Sequence, residues 1–148
     1  MSAPFAFTGT RMNELALKIK NPKQRGEWAE LRFMAAAAQN GLQITKPWGD
    51  SAQYDFIIEH EARYLRIQVK STTFMNHNGY SCTMRPSSRG VYGDDPFDFV
   101  AAYVIPEDTW FIIPEHIMHG RLALVLRPGR KDLKYGPYME AWDLLKQK

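Results

Sequence analysis

Tyr54-Asp55-Phe56-Ile57-Ile58-Glu59-His60-Glu61-Ala62-Arg63-Tyr64-Leu65-Arg66-Ile67-Gln68-Val69-Lys70-Ser71-Thr72 decides the reading of this chain. Residues 54–59 and 64–70 both alternate between apolar and polar side chains, with residues 60–63 between them, which predicts a β-hairpin. Setting Tyr64 opposite Glu59 places Leu65 against Ile58, Arg66 against Ile57, Ile67 against Phe56 and Gln68 against Asp55. In that register Phe56, Ile58, Leu65, Ile67 and Val69 share one face, suited to a core. Asp55, Glu59, Tyr64, Arg66, Gln68 and Lys70 share the other. A slip of one residue would mix the two faces, so the separation itself supports the pairing.

The polar face brings an acid, an amide oxygen and an ammonium together. Opposed residues in an antiparallel pair have Cβ atoms about 4.5–5.5 Å apart. Oxygen donors so placed suit a hard divalent cation, and an adjacent lysine suits a phosphate oxygen or a water. A solvated strand face with an incidental Asp-Lys pair is the alternative reading of the same spacing.

Outward from the hairpin, a short helix is expected over residues 11–19, capped by Thr10 and stopped by Asn21-Pro22. A longer one is expected over residues 24–40, with Trp28, Leu31, Met34, Ala35 and Ala38 at helical spacing and Gly41 just beyond its end. Residues 42–47 read as a strand ending in the loop Pro47-Trp48-Gly49-Asp50. Residues 80–84, 99–105, 110–113 and 122–126 read as further strands. The run Phe99-Val100-Ala101-Ala102-Tyr103-Val104-Ile105 is continuously apolar, as in a strand buried on both faces. Pro114 is expected to open a short helix through Met118, and residues 137–146 a terminal one. Residues 73–97 form a long connection rich in Gly, Ser, Asn and Pro, which points to function or partial order. Together these elements indicate an α/β or α+β domain with a mixed sheet.

The chain's 148 residues, 45% hydrophobic, suffice for one core and make two full domains unexpected. A single domain over residues 1–148 is expected, with residues 1–22 as an N-terminal helical extension. Cys82 is the sole cysteine, which rules out an internal disulfide and a multi-cysteine zinc site. No apolar run approaches the ~20 residues that span a bilayer. Residues 1–18 lack the basic start and apolar stretch of a signal peptide, so a cytoplasmic setting is expected. His60, His77, His116 and His119 are scattered, and no GxxxxGK or GxSxG motif occurs.

The net charge of +3 is uninformative as a total but not in its distribution. Residues 62–93 contain no acid and hold Arg63, Arg66, Lys70, Arg85, Arg89 and His77. Such a segment can contact phosphates while its arginines and asparagines read base edges; a polar loop is the alternative. Arg121, Arg127, Arg130, Lys131 and Lys134 form a second basic cluster.

Asp55, followed after 12 residues by Gln68-Val69-Lys70 and then Ser71-Thr72, resembles the motif of the PD-(D/E)XK nuclease superfamily. Upstream, Arg25-Gly26-Glu27-Trp28-Ala29-Glu30 is similar to its first-helix segment, whose acid corresponds to Glu30. Residues 96–100 and 110–114 resemble the later strands of small members. Among these are archaeal Holliday-junction resolvases and, more closely, intron-associated homing endonucleases. The resemblance covers residues 23–114.

It implies a restriction-endonuclease-like α/β fold with a mixed central sheet flanked by helices, and a metal-dependent endodeoxyribonuclease. Glu30, Asp55, Gln68 and Lys70 would be catalytic. Asp55, Gln68, the Val69 carbonyl and Glu30 would hold magnesium, with manganese as a substitute. Glu27, one turn earlier, competes with Glu30. Arg25, Arg66, Ser71, Arg85 and Arg89 are the candidate DNA contacts. A homodimer or higher symmetric oligomer is expected, since each strand of a duplex needs an active site. Phe97, Phe99, Tyr103 and Trp110 are candidates for core or for such an interface.

Two positions depart from the motif. Tyr54 stands where proline is usual. Gln68 replaces the acid of the triplet and removes one negative charge, although the intron-associated group admits glutamine there. A non-catalytic nucleic-acid-binding domain on the same fold is therefore the alternative function. A partner-binding domain with an accidental motif is the third.

Overall fold

The computed structural model describes residues 9–85 and 92–147. Its central sheet has five strands in the order β1-β2-β3-β6-β7. These are β1 (Gln43–Thr45), β2 (Phe56–His60), β3 (Arg63–Thr72), β6 (Phe99–Val104) and β7 (Thr109–Pro114). Neighbours are antiparallel except β3 and β6, so the sheet is mixed. The β2–β3 register is the expected one, from Phe56 opposite Ile67 to Glu59 opposite Tyr64. Its two-residue turn, Glu61-Ala62, has positive φ at both positions (48° and 63°), which matches the twist of the strands it joins.

β6 explains the layering. All six of its residues are buried. Phe99, Ala101 and Tyr103 enter one apolar cluster, and Val100, Ala102 and Val104 enter another on the opposite face. Period-two alternation thus feeds two cores from one strand. Phe97, Phe99, Tyr103 and Trp110 all belong to these cores.

The first core packs α2 (Pro22–Gln39) on the sheet. Asn21 caps this helix by accepting from the Lys23 and Gln24 amides at 2.9 and 3.2 Å. Its buried stripe is Ala29, Phe33 and Ala37; of the expected residues Trp28 is half-buried against the same core, while Leu31, Met34, Ala35 and Ala38 are exposed. Leu31 is 64% exposed. The helix is apolar on more than one side, and the sheet takes the stripe whose alanines allow close approach around a single ring. Phe33 stacks on Phe56 and Trp142 at 5.4 and 5.8 Å. Before it, α1 (Gly9–Ala16) places the buried Asn13 amide on the Ile105 carbonyl at 2.7 Å.

The second core is closed by a three-stranded sheet, β4 (Met75–Asn76), β5 (Gly79–Thr83) and β8 (Ala123–Leu126), in that order. Tyr80, Cys82, Leu124 and Leu126 point into the core. Burial pushes the Cys82 thiol up to about 12. A short helix, α3 (Glu115–Met118), follows β7 as expected.

The C-terminal region departs from expectation. Residues 137–146 form no continuous helix but two 3-10 turns, Gly136–Tyr138 and Trp142–Leu145. Between them Glu140 has φ of +50°. It lies against β7: its amide donates to the Trp110 carbonyl at 2.7 Å, and its carboxylate accepts from the Trp110 amide and the Trp142 indole. Two tertiary hydrogen bonds to β7, with the local one from Trp142, outweigh local helix propensity there. No described helix is long and apolar enough to cross a membrane.

Candidate active site

Asp55 sits one residue before β2 and is held by its partner strand. Its amide donates to the Ile67 carbonyl at 2.8 Å, and its carboxylate Oδ2 accepts from the Val69 amide at 2.8 Å. The adjacent Gln68 and Lys70 lie on the polar side of β3, partly buried. The Lys70 ammonium donates to the Arg85 carbonyl at 2.5 Å and stands 5.6 Å from the centre of the Tyr92 ring. Glu30, from the third turn of α2, pairs with Lys46 at 3.9 Å. Glu27, Glu30, Asp55, Gln68, Lys70 and Tyr92 line one cleft of about 820 Å³.

The electrostatics follow from crowding charge in a partly desolvated place. Burial raises the Asp55 carboxyl above its ordinary value, against the Val69 hydrogen bond and the charges of Lys70 and Lys46. Burial also raises Glu30, and the Asp55 charge raises it further. The two carboxylates therefore repel across the cleft. Lys70 moves the other way: burial lowers it, and Asp55 only partly restores it.

Two carboxylates beside an amide oxygen make a hard donor set, and their mutual repulsion is what a bound divalent cation relieves. Asp55 has Oδ2 committed to Val69, which leaves Oδ1 for a ligand. The residues fit such an ion. Among the described residues no three His, Cys, Asp or Glu side chains form a metal-holding group.

A stability prediction follows. Below the unfolded-state carboxyl values both states are protonated and nothing is lost. As pH rises beyond them, the unfolded chain releases protons that folded Asp55 and Glu30 retain, so their contribution to stability falls. Above the raised folded values the full penalty persists. Added magnesium is expected to raise the melting temperature more at about pH 7 than at about pH 4. Thermal melts with and without the ion check this. An equal shift at both values would place its binding elsewhere.

The candidate DNA contacts divide. Ser71 lines the cleft, and Arg25 does not. Arg85 is exposed beside it, with its carbonyl on Lys70. Arg89 lies outside the described residues. Arg66, expected on a phosphate track, is instead an internal tie. Its guanidinium donates to Asp98 at 3.2 and 3.1 Å, to the Asp95 carboxylate at 2.7 Å and to the Asp95 carbonyl at 2.8 Å. Four of its five N–H groups are thereby used, and the two carboxylates offset its charge.

The cleft also holds groups that sequence reasoning missed. Lys46 and Tyr92 reach it from loops, and neither lies in a motif. The loop Pro47-Trp48-Gly49-Asp50 was legible as a loop but not as a rim. Pro47, Gly49 and Asp50 line the cleft while Trp48 is fully exposed. The Gly93 amide donates to Gln53 Oε1 at 2.8 Å, tying this rim to the Tyr92 segment.

The family model of the PD-(D/E)XK endonucleases matches residues 20–145. Among solved structures, a bacterial homing endonuclease, I-Ssp6803I, is similar with a TM-score of 0.72 at 25% sequence identity. The match covers 84% of this chain and 93% of that one. No curated protein matches the chain.

Proposed function

This chain belongs to the PD-(D/E)XK endonuclease family, and from that premise we propose that it is a metal-dependent endodeoxyribonuclease with its active site at Glu30, Asp55, Gln68 and Lys70. The observation that carries the reading is the convergence of Glu30, Asp55 and Lys70, from a helix and two strands, on one cleft.

Asp55, Glu30, the Gln68 amide oxygen and the Val69 carbonyl are the groups that would hold magnesium, with manganese as a substitute. Such an ion supplies Lewis acidity toward a phosphate oxygen and lowers the pKa of a bound water. The Val69 amide fixes the Asp55 carboxylate, so one oxygen stays aimed while the other is free. Lys70 offers its remaining N–H donors to the charge that builds on phosphate oxygens during displacement. Its tether to the Arg85 carbonyl limits where that charge is met. Glu30 completes the negative charge that Gln68 lacks.

I-Ssp6803I is a homing endonuclease, and cutting duplex DNA is the corresponding reading here. A symmetric homodimer or larger assembly would present one active site to each strand. The neutral Gln68 favours the second reading, a DNA-binding domain without catalysis.

Supercoiled plasmid incubated with magnesium or manganese separates the two. Nicking that requires the ion and falls about 10²–10³-fold in Lys70→Ala is expected. Intact DNA binding with no nicking on duplex, branched or single-stranded substrates would establish the second reading instead.

A further inference from the structure

We propose that the outward face of the β4–β5–β8 sheet is a second duplex-DNA surface, which carries the substrate away from the cleft. The proposal rests on the nuclease reading and extends it to a face outside the catalytic constellation.

Charge is the first observation. The strands of this sheet come from residues 62–93 and 116–131, and neither stretch contains an Asp or Glu. Arg121 and Arg127 flank β8, and neither takes part in an ion pair among the described residues. With Arg130 and Lys134 they line an open groove of about 440 Å³. Arg130 is already paired with Asp132 at 2.9 and 2.8 Å and Lys134 lies 5.3 Å from the centre of the Tyr135 ring, so Arg121 and Arg127 are the arginines of the groove open to a partner.

Shape is the second. The inward residues of β5 and β8 belong to the core, so Ser81, Thr83, Ala123 and Val125 face outward. They are cross-strand pairs, Ser81 with Val125 and Thr83 with Ala123. All four are small or medium in size, so the backbone of the pair can approach a partner closely. Gly79 tightens the pair further, since a Cβ there would lie 2.7 Å from the Leu126 carbonyl oxygen. The β5–β8 pair of this small sheet, with hydroxyls on its face and arginines at its ends, offers a duplex groove contacts to base edges and phosphates.

Continuity with the cleft is the third, and it favours duplex DNA over an acidic protein. The Met84 amide donates to the Leu122 carbonyl at 2.9 Å, which prolongs the β5–β8 pairing and brings Arg85 and Arg121 to the same end. The Arg85 carbonyl receives the Lys70 ammonium. The cationic row therefore starts beside Lys70 and ends at Arg127. Six residues of strand span roughly 20 Å, which is about six base pairs at ~3.4 Å each.

The test is the salt dependence of binding to a 30-base-pair duplex, followed by fluorescence anisotropy without added divalent cation. Wild type is compared with R121A/R127A, and with K18A/K20A as a pair of equal charge loss on the segment between α1 and α2. Both pairs are exposed, and circular dichroism verifies folding. R121A/R127A is expected to weaken binding at least about tenfold at low salt and to flatten the log K against log salt slope by about 1.8, two phosphate contacts' worth. K18A/K20A is expected to change the slope by less than half of that. Equal effects of the two pairs, or an unchanged slope in R121A/R127A, would overturn the proposal. If that occurs while wild type still binds and nicks, only the second surface is lost. If wild type itself neither binds nor nicks, the nuclease reading falls with it.

Discussion

Asp55→Asn is expected to lower the plasmid-nicking rate by on the order of 10³-fold or more, the largest effect of any single substitution here. The fold should survive it. The asparagine carbonyl can still accept from the Val69 amide, as Asp55 Oδ2 does at 2.8 Å, so the β2–β3 register keeps its clamp. The substitution also removes a charge from a place where burial and Glu30 disfavour it. Without added cation the variant should therefore melt at or above the wild-type temperature near neutral pH, and magnesium should no longer raise it. Nicking at the wild-type rate, or an undiminished magnesium shift, would show that Asp55 does not hold the ion.

Lys70→Ala is expected to reduce nicking by about 10²–10³-fold, the range seen when one preorganised donor to a developing charge is removed. Its pH profile distinguishes this loss from simple misfolding. Burial lowers the Lys70 pKa from its ordinary 10.5, so the ammonium is lost at a lower pH than for a free lysine. The alkaline fall of kcat/KM in wild type should therefore begin below that value. Residual Lys70→Ala activity should lack that limb. Lys70→Arg should recover little: the planar guanidinium is a poor substitute for a compact ammonium placed between the Arg85 carbonyl and the Tyr92 ring. Full rescue by arginine would reduce the role of Lys70 to its charge alone.

These sites were legible in the sequence to different depths. Alternation in residues 54–70 was sufficient for the β2–β3 register, because one face had to be buried and only one pairing allowed it. The unbroken apolar run of β6 marked a strand between two cores for the same reason. Glu30 is different. Nothing in its local pattern distinguishes it from an exposed helix acid, and only the family spacing singled it out. Arg66 was misread because its partners, Asp95 and Asp98, lie 29 and 32 residues away, and no local pattern reports such distant pairing. The buried stripe of α2 was misassigned because size, and not only apolarity, decides which face meets a sheet. The C-terminal segment lost its helix to Glu140, whose bonds to Trp110 arise only once β7 is in place.

Cys82 gives the molecule an internal clock. Its sulfur is fully buried beneath the small sheet, and burial holds the thiol protonated at physiological pH. A thiol reagent reaches it only when β5 lifts from the core, and thiolate reactivity awaits that exposure. With one cysteine in the chain, every labelled molecule records one such event. The labelling rate thus measures how often the small sheet detaches from this core, and a rate above that of global unfolding would mark a local opening of β5.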